Sequence, residues 1–257
     1  MGSRNNRRGC KQFYCKHAKL NFVNPKQFLN RIGWIFNKNA SIYISKSIVT
    51  GGSVNDALIA RAHRSSAEMI NSYLDTAQLF FSRPDLYTYL FTLFDEMPDG
   101  MNLEFGVHKG GSLKIFSRKL KYIYGFDSFL GLEENWSYHF AQKGSLNLNG
   151  KIPETIKDLS NVKLIVGRVE DTLLEFISQH PLKISFIHMD LDLYSPTSYC
   201  LERLKPLLQS GSIILFDEFH GYPGWEFHEY RAFMETFARD EYEILAFSEM
   251  QCIIKIK

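Results

Sequence analysis

Four carboxyl groups stand where apolar runs of this sequence end. Asp127 closes the run Tyr122–Phe126, Asp190 closes Ile184–Met189, and Asp217 with Glu218 closes Ser212–Phe216. In open, mostly parallel α/β sheets, ligands bind at the carboxyl ends of the strands, so all four acids are expected on one crevice. Asp190 and the Asp217-Glu218 pair would end neighbouring strands. Like charges brought together either raise a pKa or demand a cation, and an all-oxygen set suits Mg²⁺ or Ca²⁺ better than zinc. A proton acceptor is sought among the histidines. His220, just past the acidic pair, comes first, followed by His228 and His139. Each of these reads equally well as an exposed loop histidine. His188 shares a strand with Asp190 and reads also as a hydrogen-bonded core histidine.

The element that must position a ligand against these acids lies upstream. Met101–Phe105 is an apolar run that breaks into Gly106, Gly110 and Gly111, after which Ser112 can cap a helix with Leu113, Ile115, Phe116 and Leu120 on its apolar side. With Tyr122–Phe126 and Asp127 the order is strand, glycine turn, helix, strand, acid. That order opens nucleotide-cofactor-binding α/β folds. The glycines admit close approach to the backbone, the helix start offers N–H groups to an anion, and Asp127 is placed to accept from ribose hydroxyls. The spacing is not the Gly-x-Gly-x-x-Gly of dinucleotide sites, and no Walker lysine follows the last glycine.

The stretch Glu104-Phe-Gly106-Val-x-x-Gly110-Gly111-Ser112 resembles the first motif of class I S-adenosylmethionine-dependent methyltransferases. The resemblance implies cofactor contacts from Glu104, Phe105, Gly106, Val107, Gly110 and Ser112. Asp127 and Ser128 would hold the ribose side, and Glu170 and Asp190 would complete the set. Three further stretches are similar to the macrocin O-methyltransferase family. They are Gly125-Phe-Asp127-Ser128-Phe129-x-Gly131-Leu132, then His188-Met-Asp190-Leu-Asp192-Leu-Tyr194-Ser195-Pro-Thr197, then Gly211 to Asp217-Glu218-Phe219. This similarity covers about residues 100–257, with Glu218 standing where the family usually has Asp. It implies methylation of a small-molecule hydroxyl, often on a sugar of a natural product, with Mg²⁺ held by Asp190, Asp217 and Glu218. Asp190 and His220 are the catalytic candidates. Asp192 and Tyr194 are read as shaping the pocket or holding the turn, and Trp136, Tyr222 and Trp225 as an aromatic wall or core. A metal-independent methyltransferase of the same fold is the nearest alternative.

The rest of the chain supplies the frame. Further apolar runs at Val162–Val166, Tyr242–Phe247 and Gln251–Ile256, alternating with helical segments, predict a Rossmann-like sheet of seven mostly parallel strands with helices on both faces. Its final hairpin supplies one antiparallel strand. A helix is expected from Asn55 or Asp56 through residue 80 and another over Leu86–Met97. The expected organisation is thus a basic tail over residues 1–20, a helical region over 21–98 and a methyltransferase domain over 99–257. The helical region is read as a lid or a homodimer contact.

With 257 residues, 45% hydrophobic and 23% charged, a substantial core is available. Residues 1–55 carry ten Lys/Arg and no acid, leaving 20 basic against 28 acidic residues in the remainder. An acidic core repels phosphates, so a nucleic-acid partner is not expected despite the basic tail. Cys10, Cys15 and His17 match no zinc spacing. The four scattered cysteines and the lack of an 18-residue apolar stretch point to a cytoplasmic protein without a membrane span.

Overall fold

The central strand-forming runs, Met101–Phe105 and Ile184–Met189 among them, are apolar and buried on both faces, the mark of parallel strands covered by helices on either side. A computed structural model describes residues 52–136 and 141–257. The basic tail with Cys10, Cys15 and His17, residues 21–51 of the expected helical region, and the proton-acceptor candidate His139 lie outside the described residues. Residues 54–257 form one unit.

In chain order the elements are α1 (Val54–Asn71), β1 (Gln78–Leu79), α2 (Arg83–Phe94), β2 (Met101–Phe105), α3 (Gly111–Phe116) and β3 (Ile123–Asp127). Then follow α4 (Glu154–Lys157), β4 (Val162–Val166), α5 (Val169–Gln179), β5 (Ile184–Met189) and α6 (Tyr194–Leu204). The chain closes with β6 (Leu208–Phe216), α7 (Glu229–Thr236), β7 (Tyr242–Phe247) and β8 (Cys252–Ile256). The sheet order is β1-β7-β8-β6-β5-β2-β3-β4. Only β8 runs antiparallel to its neighbours β6 and β7.

The sheet has eight strands rather than the seven expected. The helix expected through residue 80 stops at Asn71. Its end tightens into i→i−3 bonds, Ser72 N–H to Met69 C=O and Tyr73 N–H to Ile70 C=O. Tyr73 then lies against Phe247, with ring centroids 6.1 Å apart, and the chain extends into β1, parallel to β7. Two exposed residues carry no periodicity, so this strand exists only through its pairing.

Two cores flank the sheet. On one face α5, α6 and α7 bury Leu173, Phe176, Leu201 and Phe233 against Phe105, Phe126, Ile187 and Phe216. On the other, α2, α3 and α4 bury Leu86, Leu90, Phe116 and Ile156 against Phe186, Leu215 and Ile253. Each such fully buried side chain stabilises by about 1.5–3 kcal/mol. Helix α2 starts at Arg83, three residues before the expected Leu86, because Ser82 caps it. Ser82 Oγ accepts from Asp85 N–H at 3.2 Å, and Pro84 occupies the first turn.

Candidate active site

The turn after β2 is held by a carboxylate. Asp127, at the end of β3, accepts from Val107 N–H (2.9 Å) and His108 N–H (2.6 Å) through Oδ2, and from Phe129 N–H (2.6 Å) through Oδ1. A carboxylate bonded to backbone N–H groups makes the stronger, charge-assisted kind of bond. Asp127 therefore fixes the turn itself, and its remaining acceptor capacity faces the cleft it lines.

The glycines serve close packing of the chain on itself. A Cβ on Gly106 (φ +87°) would lie 1.7 Å from the carbonyl oxygen of Asp190, so β2 can run beside β5 only without one. A Cβ on Gly110 would strike Ile156 at 2.2 Å. Ser112 does not cap α3 as expected. Gly110 is the cap residue, and Ser112 Oγ donates to Glu104 Oε1 at 2.7 Å.

A cleft of about 640 Å³ opens at the carboxyl ends of the strands, within the size range of ligand sites. Of the residues expected at the cofactor, Gly106, Asp127, Ser128, Glu170 and Asp190 line it. Glu104, Phe105, Val107, Gly110 and Ser112 stand behind that surface, where they shape the turn rather than the wall. His108, in a left-handed conformation (φ +45°), lines the cleft, and burial beside Lys109 holds its pKa below the ordinary value despite Asp127.

The acids gather at the same cleft, but not in the grouping expected. Carboxylate oxygens of Asp190, Asp192 and Glu218 all lie within 4.8 Å of one another. Asp217 is diverted, its Oδ2 meeting Arg83 Nη2 at 2.7 Å and its Oδ1 lying 3.5 Å from Gln251 Nε2. The sequence reading missed Arg83. It lines the cleft from the first turn of α2, and no local signal links it to an acid 134 positions later. Asp192 was read as a turn or pocket residue. Its left-handed backbone (φ +64°) places its buried carboxyl in the group.

Glu229, on α7, was also missed. Its Oε1 accepts from Leu191 N–H (3.1 Å) and its Oε2 from Glu218 N–H (3.3 Å), so one buried side chain ties together the segments after β5 and β6.

The electrostatics follow from burial. Desolvation, with Asp217 nearby, pushes the Asp190 and Glu218 carboxyls well above the usual range. The same causes raise Asp192 to about 7, and burial with Asp192 nearby raises Glu229 to about 8. Asp217 moves the other way: burial opposes it, but His188 and Arg83 hold it below its ordinary value.

Glu104 and His188 are register partners on β2 and β5, and both are fully buried. His188 lies 3.7 Å from Glu104 Oε2 and 3.9 Å from Asp217 Oδ1. Burial alone would lower the imidazole pKa, yet the two flanking carboxylates lift it to about 10. Its ring also meets Phe116 edge-on at 5.0 Å.

The base expected at His220 is not on the cleft. Its ring is buried, meets Phe247 edge-on at 5.5 Å, and desolvation lowers its pKa to about 4. His228 is buried beside Trp136 and Tyr222. Trp136 lines the cleft, whereas Tyr222 and Trp225 pack behind it in a small cluster with Ala62 and Leu193. Trp225 Nε1 donates to Ser65 Oγ at 3.0 Å, and Gly221 N–H donates to Ser66 Oγ at 2.9 Å, tying the loop after β6 to α1. Tyr194 turns outward to Glu235 (2.6 Å).

Comparison with known proteins agrees with this fold. A family model described as a methyltransferase domain matches residues 103–219, the segment from β2 to the acidic pair. The calicheamicin methyltransferase CalS11 is similar at 26% identity over 68% of this chain and 80% of its own, with a TM-score of 0.58. The O-methyltransferase NovP shares the fold at 18% identity over 65% of this chain and 76% of its own, with a TM-score of 0.51. No curated protein matches the chain. Among the described residues no helix is long and apolar enough to cross a membrane. With a cleft that joins a carboxylate-held glycine turn to strand-end acids, and with the match across that segment, the chain is an S-adenosylmethionine-dependent methyltransferase of Rossmann-like fold.

Proposed function

We propose that this enzyme methylates a hydroxyl of a small molecule with the assistance of Mg²⁺, in the manner of the macrocin O-methyltransferase family. The observation that carries the reading is the group Asp190, Asp192 and Glu218, all lining the same cleft as the cofactor turn. The group fits a hard cation on its own chemistry. Its donors are all oxygen, burial and the nearby Asp217 raise their pKa values, and Glu218 Oε2 is buried without a hydrogen-bond partner. Asp190 and Glu218 would hold the ion, with Asp192 beside them. Bound there, Mg²⁺ would lower the pKa of a coordinated hydroxyl. S-adenosylmethionine would supply the electrophilic methyl group.

The chain's own residues do the rest. The turn fixed by Asp127, with His108 and Ser128 beside it, holds the cofactor's ribose and methionine portions. Asp192 takes the hydroxyl proton on its carboxylate, the role first sought at His220. Alignment of acceptor and methyl supplies much of the rate. Trp136 and Arg83 form the acceptor side of the cleft, consistent with an acceptor-selecting role for residues 21–98 ahead of a methyltransferase domain over 99–257. The reading includes a cytoplasmic setting, supported by the unpaired buried thiols of Cys200 and Cys252, and a homodimer through the N-terminal region.

The test is calorimetric titration with S-adenosylhomocysteine in Mg²⁺ and again in EDTA. It is paired with turnover assays on a panel of vicinal-diol sugars and catechols. The expected result is micromolar binding in both conditions and turnover only with metal, lost in Glu218→Gln. Turnover unaffected by EDTA would favour the metal-independent reading, and absence of S-adenosylhomocysteine binding would overturn both.

A further inference from the structure

Six carboxylates gather at and behind the acceptor wall, and the structure partners them unequally. Glu104, His188, Asp217 and Arg83 form a row of alternating charge, with separations of 3.7, 3.9 and 2.7 Å. Glu229 spends both oxygens on backbone N–H groups. Among the described residues none of Asp190, Asp192 and Glu218 forms an ion pair with Lys, Arg or His. The uncompensated negative charge therefore falls on those three.

We propose that Arg83 is a built-in counter-cation that removes Asp217 from the metal-binding set and so determines which carboxylates the metal meets. The proposal rests on the metal reading above. Asp217 has both oxygens turned to donors, Oδ2 to Arg83 and Oδ1 toward Gln251 and His188. Its side chain is 5% exposed, while that of Arg83 is 41% exposed, so the guanidinium reaches in from the cleft and closes over a sunken carboxylate. The reach is fixed at its origin, because the Ser82 cap and Pro84 set the first turn of α2, where Arg83 sits. A planar guanidinium that keeps its charge at any working pH suits a permanent stand-in for a cation. Asp217 thus acts as a positioning residue, holding Arg83 and His188, while the ion is left to Asp190 and Glu218, with Asp192 beside them.

The experiment measures Mn²⁺ binding to the full chain by electron paramagnetic resonance, with S-adenosylhomocysteine affinity as the check that each variant is folded. In the wild-type background, Asp217→Asn should change Mn²⁺ affinity by no more than about twofold, whereas Glu218→Gln should weaken it at least tenfold, within the range that ligand-shell changes produce. Arg83→Gln frees Asp217 as a fourth carboxylate and should tighten Mn²⁺ binding about tenfold. That gain should vanish in the double variant Arg83→Gln/Asp217→Asn. A loss of tenfold or more for Asp217→Asn alone would show Asp217 to be a ligand despite Arg83 and would overturn the proposal. So would an unchanged affinity for Arg83→Gln. If the wild type binds S-adenosylhomocysteine but no Mn²⁺, the metal reading itself falls and takes this proposal with it, an outcome distinct from the other two.

Discussion

Replacing Asp127 by alanine tests the turn most directly. The substitution removes the acceptor for three backbone N–H groups, at 2.9, 2.6 and 2.6 Å. Bonds to a charged acceptor contribute about 1.5–3 kcal/mol each, which bounds the loss near 4–9 kcal/mol if all three donors stayed dry. They do not, because Asp127 is only half-buried and lines the cleft, so water can reach part of the turn. The expected destabilisation is about 3 kcal/mol, or about 6–12 °C in Tm for a chain of this size. The same change leaves the cofactor turn without its brace, so S-adenosylhomocysteine affinity should fall at least tenfold. Asp127→Asn keeps one carbonyl acceptor but turns an NH₂ toward at least one N–H, and should fall between. Urea denaturation gives the stability, and titration calorimetry gives the affinity. A variant Asp127→Ala with wild-type stability and weakened affinity would refute the bracing argument and leave only direct ribose contact. Wild-type values for both would remove Asp127 from the site altogether.

Gly106→Ala should fail to fold or lose more than about 3 kcal/mol, since its Cβ would overlap the Asp190 carbonyl. Gly111→Ala, where nothing lies within 4 Å, should be tolerated in the same circular-dichroism melt. His220→Gln should keep turnover within about threefold of wild type, because the ring faces Phe247 rather than the cleft. A hundredfold loss would restore His220 as the base. Glu229→Gln should lower turnover about tenfold with S-adenosylhomocysteine binding intact, since it loosens the segments carrying Asp190, Asp192 and Glu218.

In EDTA, stability should fall as pH rises from about 6 to 9. The raised pKa values of Asp192 (about 7), Glu229 (about 8) and His188 (about 10) mean that the folded chain holds protons the unfolded chain has released. The His188 contribution is full below its unfolded value near 6.5 and is lost through about 10. Saturating Mg²⁺ should flatten the carboxylate part of that slope. A Tm that is constant or rising over this range in EDTA would contradict the placement of these charges.

The sheet was legible because its strands are continuous apolar runs ending in acids. Such runs, punctuated by Gly106, Asp127, Asp190 and Asp217, state both where a strand lies and which end carries the ligand. The cleft side of the turn was legible for the same reason. Three features were not. The two residues of β1 are too few to show alternation, and their strand character comes from β7. Arg83 reads locally as a helix start beside Pro84, and only the folded chain brings it to Asp217. Glu229 reads as a solvated residue in the first turn of an amphipathic helix, yet it is fully buried between two backbone donors. Sequence spacing showed which acids share an edge of the sheet, but not which of them already have partners.

The row Glu104–His188–Asp217 also constrains how this sequence can change. Its members come from three adjacent strands, β2, β5 and the end of β6, and each is 3% exposed or less. Exchanging one alone strands a neighbour of opposite sign in the interior, which costs about 3–5 kcal/mol, whereas exchanging a whole buried ionic group for well-packed apolar residues can be neutral or better. Substitutions at the three positions are therefore expected to be coupled, a change at one altering the cost of a change at the next. Residues 84 and 113 positions apart along the chain thus act energetically as one unit.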